Sequence, residues 1–288
     1  MAEQLLNGLI LGSIYALMGS GLTLVYGTMR VLNFAHGEFY MLGGYAFLLL
    51  TTGLGLHPAL AVILAALCVF AFAAGVGFGV IRPLLDKPGW EFSTIAATMG
   101  LSIVLQNLAL GVWGETFRSV PYFTNAMLEI GDIRMPYQRL LIAIVAAAAI
   151  GGTALLLRHT RFGSAIRATA QDPEAARIMG VRTGLVNTLS FALGAALAAV
   201  AAAMLSPLYA VNPWMGVTLS LKAFAVVVMG GLGSFTGCIA AGMILGVVEA
   251  VGVGLTSSEW REVISFGILI AVIWWRPWGL FGVGRAVR

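Results

Sequence analysis

Asn33, His36, Glu38, Lys222 and Glu249 carry polar or ionisable groups inside, or at the edge of, long uncharged stretches. A charge in hydrocarbon is costly, so such groups face one another, a partner chain or a solute pathway. Asn33, His36 and Glu38 share the segment VLNFAHGEFYMLGGY, residues 31–45. There Glu38 either caps or pairs with Arg30 at a membrane mouth, or it belongs to a gate or pathway. Lys222 and Glu249 are a cation and an anion that can neutralise each other or a second subunit. The same acids and lysine are also the candidate proton or ion sites of a self-sufficient, ion-coupled carrier. Gln106 and Asn107 are expected to hydrogen-bond between helices.

Other chemistry finds little support. Three scattered histidines do not make a metal site, and Cys68 and Cys238 sit in apolar runs, where small buried residues are expected. There is no G-x-x-x-x-G-K-[ST] phosphate loop, and the only lysines are Lys87 and Lys222. No nucleophile lies near a supporting base, so an enzyme is not indicated. If the chain moves solute uphill, the energy comes from an ion gradient or from another chain.

The longest polar stretch is residues 158–182. It sets Arg158, Arg161, Arg167, Arg177 and Arg182 against Asp172 and Glu174. Its interior is helix-compatible, Asp172-Pro173 has the form of an N-cap followed by proline at the first helical position, and Gly180 is a stop signal. This predicts a short basic helix-turn-helix between two spans. It is either a docking element for a soluble motor or a solvated connector.

The elements that position these residues follow from composition. The chain of 288 residues is 60% hydrophobic and only 10% charged, with a mean hydropathy of +0.96, far from a soluble domain at about 25% charged. Its apolar runs are too long and continuous for a membrane barrel, and open sheet cannot face lipid. The expectation is an all-α, polytopic bundle in one domain, residues 1–288. It should have roughly eight or nine membrane segments, some broken or re-entrant.

The net charge of +4 follows from arginines at span ends, so it points to membrane orientation and not to nucleic acid. The basic stretch and the tail, with Arg276, Arg285 and Arg288, are placed in the cytoplasm. Spans near 184–206, 215–232, 235–255 and 259–275 separate them. Counting back puts the N-terminus outside if 2–26 and 31–53 are both full spans. The first apolar run is expected to be retained, since no basic n-region precedes it. No internal sequence repeat is evident, although an inverted structural repeat remains compatible. Gly43, Gly44, Gly230, Gly231 and Gly233 are expected to allow close helix packing or helix breaks.

Two stretches, NFAHGEFYMLGGY (residues 33–45) and FGSAIRATAQDPEAARIMGV (residues 162–181), carry a family likeness. So do VVVMGGLGSFTG (226–237) and the closing Arg276-Pro277-Trp278-Gly279-Leu280-Phe281. In these the chain resembles the permease subunits of branched-chain amino acid ABC importers, and more narrowly the H-type subunit of leucine/isoleucine/valine systems. Related permeases serve urea, amides and other amino acids. The resemblance implies that residues 158–183 hold a coupling helix for an ATPase, with Arg167, Ala168, Gln171, Asp172, Glu174, Ala176 and Gly180 on it. It implies a second permease subunit, two ATP-binding cassette subunits and a periplasmic amino-acid-binding protein as partners. ATP and Mg would then sit on the partner subunits and no cofactor on this chain, which would lie in a bacterial inner membrane.

Overall fold

The uncharged run at the N-terminus folds as one helix, α1 (Ala2–Met29), in a computed structural model that describes residues 2–124, 126–130 and 133–282. Arg285 and Arg288 of the basic tail lie outside the described residues. Arg30 ends α1 in the left-handed region at φ 56°, its N–H still donating to Tyr26 O at 2.8 Å. The chain then runs non-helically until α2 (His36–Leu48), which closes in a π-helical turn, Leu49–Gly53. Within the 31–53 stretch the helix therefore begins only at His36. An Asx turn, with Asn33 Oδ1 accepting from Ala35 N at 3.1 Å, delays the helix.

Next come α3 (Pro58–Val76), a π-helical turn at Gly77–Ile81, and α4 (Arg82–Leu85). His57 caps α3, its Nδ1 accepting from Ala59 N. Helix α5 (Trp90–Trp113) leads to a hairpin of β1 (Met127–Ile130) and β2 (Ile133–Pro136). That hairpin sits in the loop before α6 (Tyr137–His159), and with an isolated antiparallel bridge between Arg118 and Val211 it is the β structure among the described residues of an otherwise helical chain. Helices α7 (Arg161–Gln171) and α8 (Pro173–Ile178) follow, then α9 (Thr183–Leu205), α10 (Met215–Gly230), α11 (Phe235–Leu255) and α12 (Arg261–Trp275).

Six helical stretches are long and apolar enough to cross a membrane: 3–29, 58–85, 90–113, 137–159, 183–205 and 235–255. Helices α2, α10 and α12 are shorter. The chain is a multi-pass membrane protein. Leu67, Ile103, Val112, Leu155 and Ile270 are more than half exposed on its flanks, as lipid-facing residues are, and Trp274 and Trp275 are 91% and 80% exposed at one rim. Cys68 is exposed, contrary to expectation, because it lines an open apolar groove that α3 forms with Leu42 of α2 and Leu105 and Val112 of α5.

Two contacts fix direction. Arg30, at the end of α1, donates from Nη2 to Ala170 O in α7 at 3.0 Å. Asn7, near its start, accepts from Arg139 at the start of α6. So α1 runs toward the end of the bundle that carries α7 and α8, whereas α9 leaves that end. The two long buried helices are antiparallel, and each is followed by a non-helical break and a short helix: α1 by α2, α9 by α10. The packing repeats in the same sense, with α1 against α11 and α9 against α3. The chain thus contains an inverted structural repeat that its sequence conceals.

Glycines sit on the crossing points of that repeat. A Cβ on Gly21 would meet Gly194 O at 2.7 Å, and one on Gly194 would meet Gly21 O at 2.6 Å. Gly37 and Gly216, at the starts of α2 and α10, block each other in the same reciprocal way, backbone on backbone. Gly43 packs on Ala199 of α9, and Gly44 on the Met215 side chain. Gly230 is pressed against Gly237 and Cys238, while Gly231 and Gly233 adopt φ +98° and +84° in the turn between α10 and α11. Only glycine takes those angles without strain, so this cluster combines close packing with a turn between two helices.

Candidate functional site

Glu249, on α11, is fully buried and lies at the centre of the most elaborate polar cluster in the bundle. Its Oε2 accepts from Lys222 Nζ and from Ser265 Oγ, each at 2.7 Å; its Oε1 accepts from Tyr15 OH at 2.9 Å. Lys222, 2% exposed on α10, also donates to Tyr15 OH at 3.2 Å and pairs with Glu262 Oε1 at 3.2 Å. Arg261 Nε stands 3.6 Å from Glu249 Oε1. Two cations and two carboxylates thus balance, which is what lets them share an apolar interior.

A cavity of about 230 Å³ opens beside this cluster, at the end of the bundle opposite α7 and α8. Its lining mixes apolar Leu11, Leu205, Met215 and Leu219 with polar Tyr15, Lys222, Arg261 and Glu262, Leu11 lying one turn from Tyr15 on α1 and Leu219 one turn from Lys222 on α10. The breaks before α2 and α10 bring their first turns close to this space, which Tyr40 and Asn212 also line.

A second polar group occupies the start of α2. Asn33, His36 and Glu38 are all buried, at 2%, 0% and 3% exposure. His36 Nε2 lies 3.1 Å from Met18 O; a carbonyl only accepts, so that nitrogen carries the proton. Glu38 Oε1 accepts from Ser102 Oγ of α5 at 3.0 Å. Glu38 does not pair with Arg30, whose guanidinium reaches α7 instead. Asn107 misses its expected use: exposed on α5, it donates to Ile103 O within its own helix at 2.8 Å.

At the opposite end α7 and α8 meet at an elbow made by one residue. Asp172 Oδ1 accepts from Glu174 N at 2.9 Å and Ala175 N at 3.0 Å, with Pro173 in the first helical position, so the predicted cap is present. Gly180 at φ +86° and the bond from Val181 N to Ala176 O close α8 as a Schellman motif. The buried face of α7 is Gly163, Ile166 and Thr169, spaced one helical turn apart. Arg167, Gln171, Asp172 and Glu174 are exposed and Ala168 is half-buried. Ala176 is only 5% exposed and packs inward, so it positions α8 and does not face outward. Ile178 and Met179, 81% and 82% exposed, form an apolar tip.

A model of the family described as branched-chain amino acid transport system / permease component matches residues 4–273. The chain belongs to this family. Among its relatives are the high-affinity branched-chain amino acid transport system permease proteins BraD of Pseudomonas aeruginosa and LivH of Escherichia coli. BraD is 36% identical and LivH 33%, each aligned over 97% of this chain and 95% of the relative. The autoinducer 2 import system permease protein LsrC of Yersinia enterocolitica is 27% identical over 77% of this chain and 62% of its own length. Among solved structures, PsaBC from Streptococcus pneumoniae in complex with Fab covers 93% of this chain and 90% of its own at 13% identity, with a TM-score of 0.49, too low to carry an argument.

The permease therefore gathers its expected polar residues into two places. Lys222 and Glu249 are brought together; Asn33, His36 and Glu38 form a separate group on another helix start. Tyr15, Ser265, Arg261 and Glu262 complete the first cluster and were not anticipated. The signal was present: Tyr15 is a hydroxyl in mid-span, and Arg261-Glu262 adjoins the last apolar run. Ile178 and Met179, apolar residues in the most polar stretch of the permease, were the other missed sign.

Proposed function

We propose that this permease carries branched-chain amino acids across a bacterial cytoplasmic membrane by alternating access, driven by ATP that separate subunits hydrolyse. The observation that carries the coupling role is the α7–α8 elbow with its uncovered apolar tip at Ile178 and Met179. Exposed apolar side chains on a helical projection fit a groove in a partner, and the surrounding Arg167, Gln171, Asp172 and Glu174 suit a polar rim. The partner is an ATP-binding cassette subunit, present as two copies with their ATP and Mg. A second permease subunit covers part of the lipid-exposed flank, and a periplasmic amino-acid-binding protein delivers solute. The five exposed arginines from Arg158 to Arg182 support an elbow on the cytoplasmic side, and with it an N-terminus outside. Nine crossings follow when α2, α10 and α12 each complete one.

The hydrogen bond from Arg30 to Ala170 O supports a mechanical link. It joins α7 to the joint between α1 and α2, so movement of the elbow acts directly on the helix that carries Tyr15 and contacts the cavity. The pairing of Lys222 with Glu249 weakens the case for a self-sufficient ion-coupled carrier. Their charges are already used in holding helices together.

The test is the double substitution Arg167→Gln with Asp172→Asn in the reconstituted transporter. Asparagine keeps the helix cap, so the change removes charge and not structure. Leucine uptake is expected to fall at least about tenfold while the subunits still insert and ATP is still hydrolysed. Normal uptake in the double variant counts against the coupling role.

A further inference from the structure

We infer that the cavity beside Lys222 and Glu249 is a subsite for the zwitterionic head group of the transported amino acid, an inference that rests on the import function proposed above. The charge balance of its wall is the first ground. Lys222 and Arg261 against Glu249 and Glu262 leave no net charge. A solute with net charge would add an uncompensated ion beside a membrane interior; a zwitterion would not.

The second ground is which groups still have capacity. Lys222 spends its three protons on Glu249, Tyr15 and Glu262. Arg261 has five donors; its Nε approaches Glu249 at 3.6 Å and its guanidinium also reaches Tyr209, which leaves donors to spare, and its side chain is 34% exposed. Glu262 gives Oε1 to Lys222, keeps a second oxygen, and its side chain is 46% exposed. The two residues are adjacent at the first turn of α12 and line the cavity. A solute carboxylate on Arg261 and an ammonium on Glu262 satisfy both, and the apolar part of the lining, Leu11, Leu205 and Leu219, receives a branched apolar side chain. Glu249, fully buried under Lys222, acts as a positioning residue.

The experiment uses the complete transporter in nanodiscs without the binding protein, and measures displaceable binding of radiolabelled leucine at millimolar concentrations. Competitors are leucine, leucinamide, which lacks the carboxylate, and 4-methylpentanoate, which lacks the amine. Each analogue is expected to compete at least about tenfold less well than leucine, and Arg261→Gln and Glu262→Gln are each expected to weaken leucine by about tenfold. Glu262→Gln should also narrow the gap between leucine and 4-methylpentanoate. Co-elution of all subunits verifies that a variant has assembled; should one not assemble, the competitor series on the unaltered transporter decides. Absence of saturable binding, equal competition by either analogue, or unchanged leucine binding in both variants overturns the subsite. Leucine uptake by the unaltered transporter with its binding protein is measured in parallel. Uptake without the predicted binding pattern sinks this inference alone, whereas no uptake sinks the import function beneath it.

Discussion

Replacing Glu249 with leucine is expected to cost the folded permease about 3–5 kcal/mol, because it strands the buried Lys222 ammonium beside Arg261 with only the half-exposed Glu262 to answer them. Tyr15 and Ser265 lose their acceptor in the same step. Lys222→Met alone should cost less, since Tyr15, Ser265 and Arg261 still face the carboxylate. The double substitution Lys222→Met with Glu249→Leu should recover most of the loss, as replacing a whole buried pair by apolar side chains often does. Unfolding titrations of the two single variants and the double variant give the coupling energy. If the two losses simply add, the pair is not the keystone that its geometry indicates.

The second large effect is expected at Gly216. An alanine there has no free volume, because its Cβ falls on the Gly37 backbone, which cannot rotate away as a side chain could. Gly216→Ala should destabilise by at least about 2 kcal/mol. Gly100→Ala makes the same chemical change in mid-helix of α5, where nothing lies within 4 Å, and should be neutral or slightly stabilising. Thermal unfolding of both variants in one detergent settles the matter. Equal midpoints would mean that the two short helices can part at their crossing without loss.

Local signals account for what could be read from the chain. The ends of α11, the Asp172 cap, the Gly180 stop and the breaks at Gly231 and Gly233 all depend on a residue and its near neighbours, and all appear where their chemistry places them. Lys222 and Glu249 were identifiable because a charge in an apolar run needs a partner. The identity of the other partners was not, since Tyr15 lies 207 residues from Lys222 and 234 from Glu249, and nothing periodic links them. Glu38 shows the opposite error. Arg30 was near in sequence and opposite in charge, yet the left-handed turn at Arg30 sends its side chain to α7 and leaves Glu38 to Ser102, 64 residues away. The delayed start of α2 was hidden because an uncharged run does not report where its backbone turns helical. Asn33 was the available clue. The inverted repeat was invisible for a related reason: packing constrains size at the crossings, and many sequences supply small residues.

The Gly21–Gly194 contact divides α1 unequally. From it to Met29, where Arg30 ties the helix to α7, is about 12 Å at 1.5 Å per residue, and from it to Gln4 is about 26 Å. Moving as one with α11, on whose backbone Gly8 and Gly12 are packed, α1 turning about that point is a lever with arms in a ratio of roughly one to two. A displacement of about 1 Å at the short arm becomes about 2 Å at the far rim. On the import function proposed above, the short arm is the one an ATPase pushes, and the amplified stroke arrives at the mouth where solute enters.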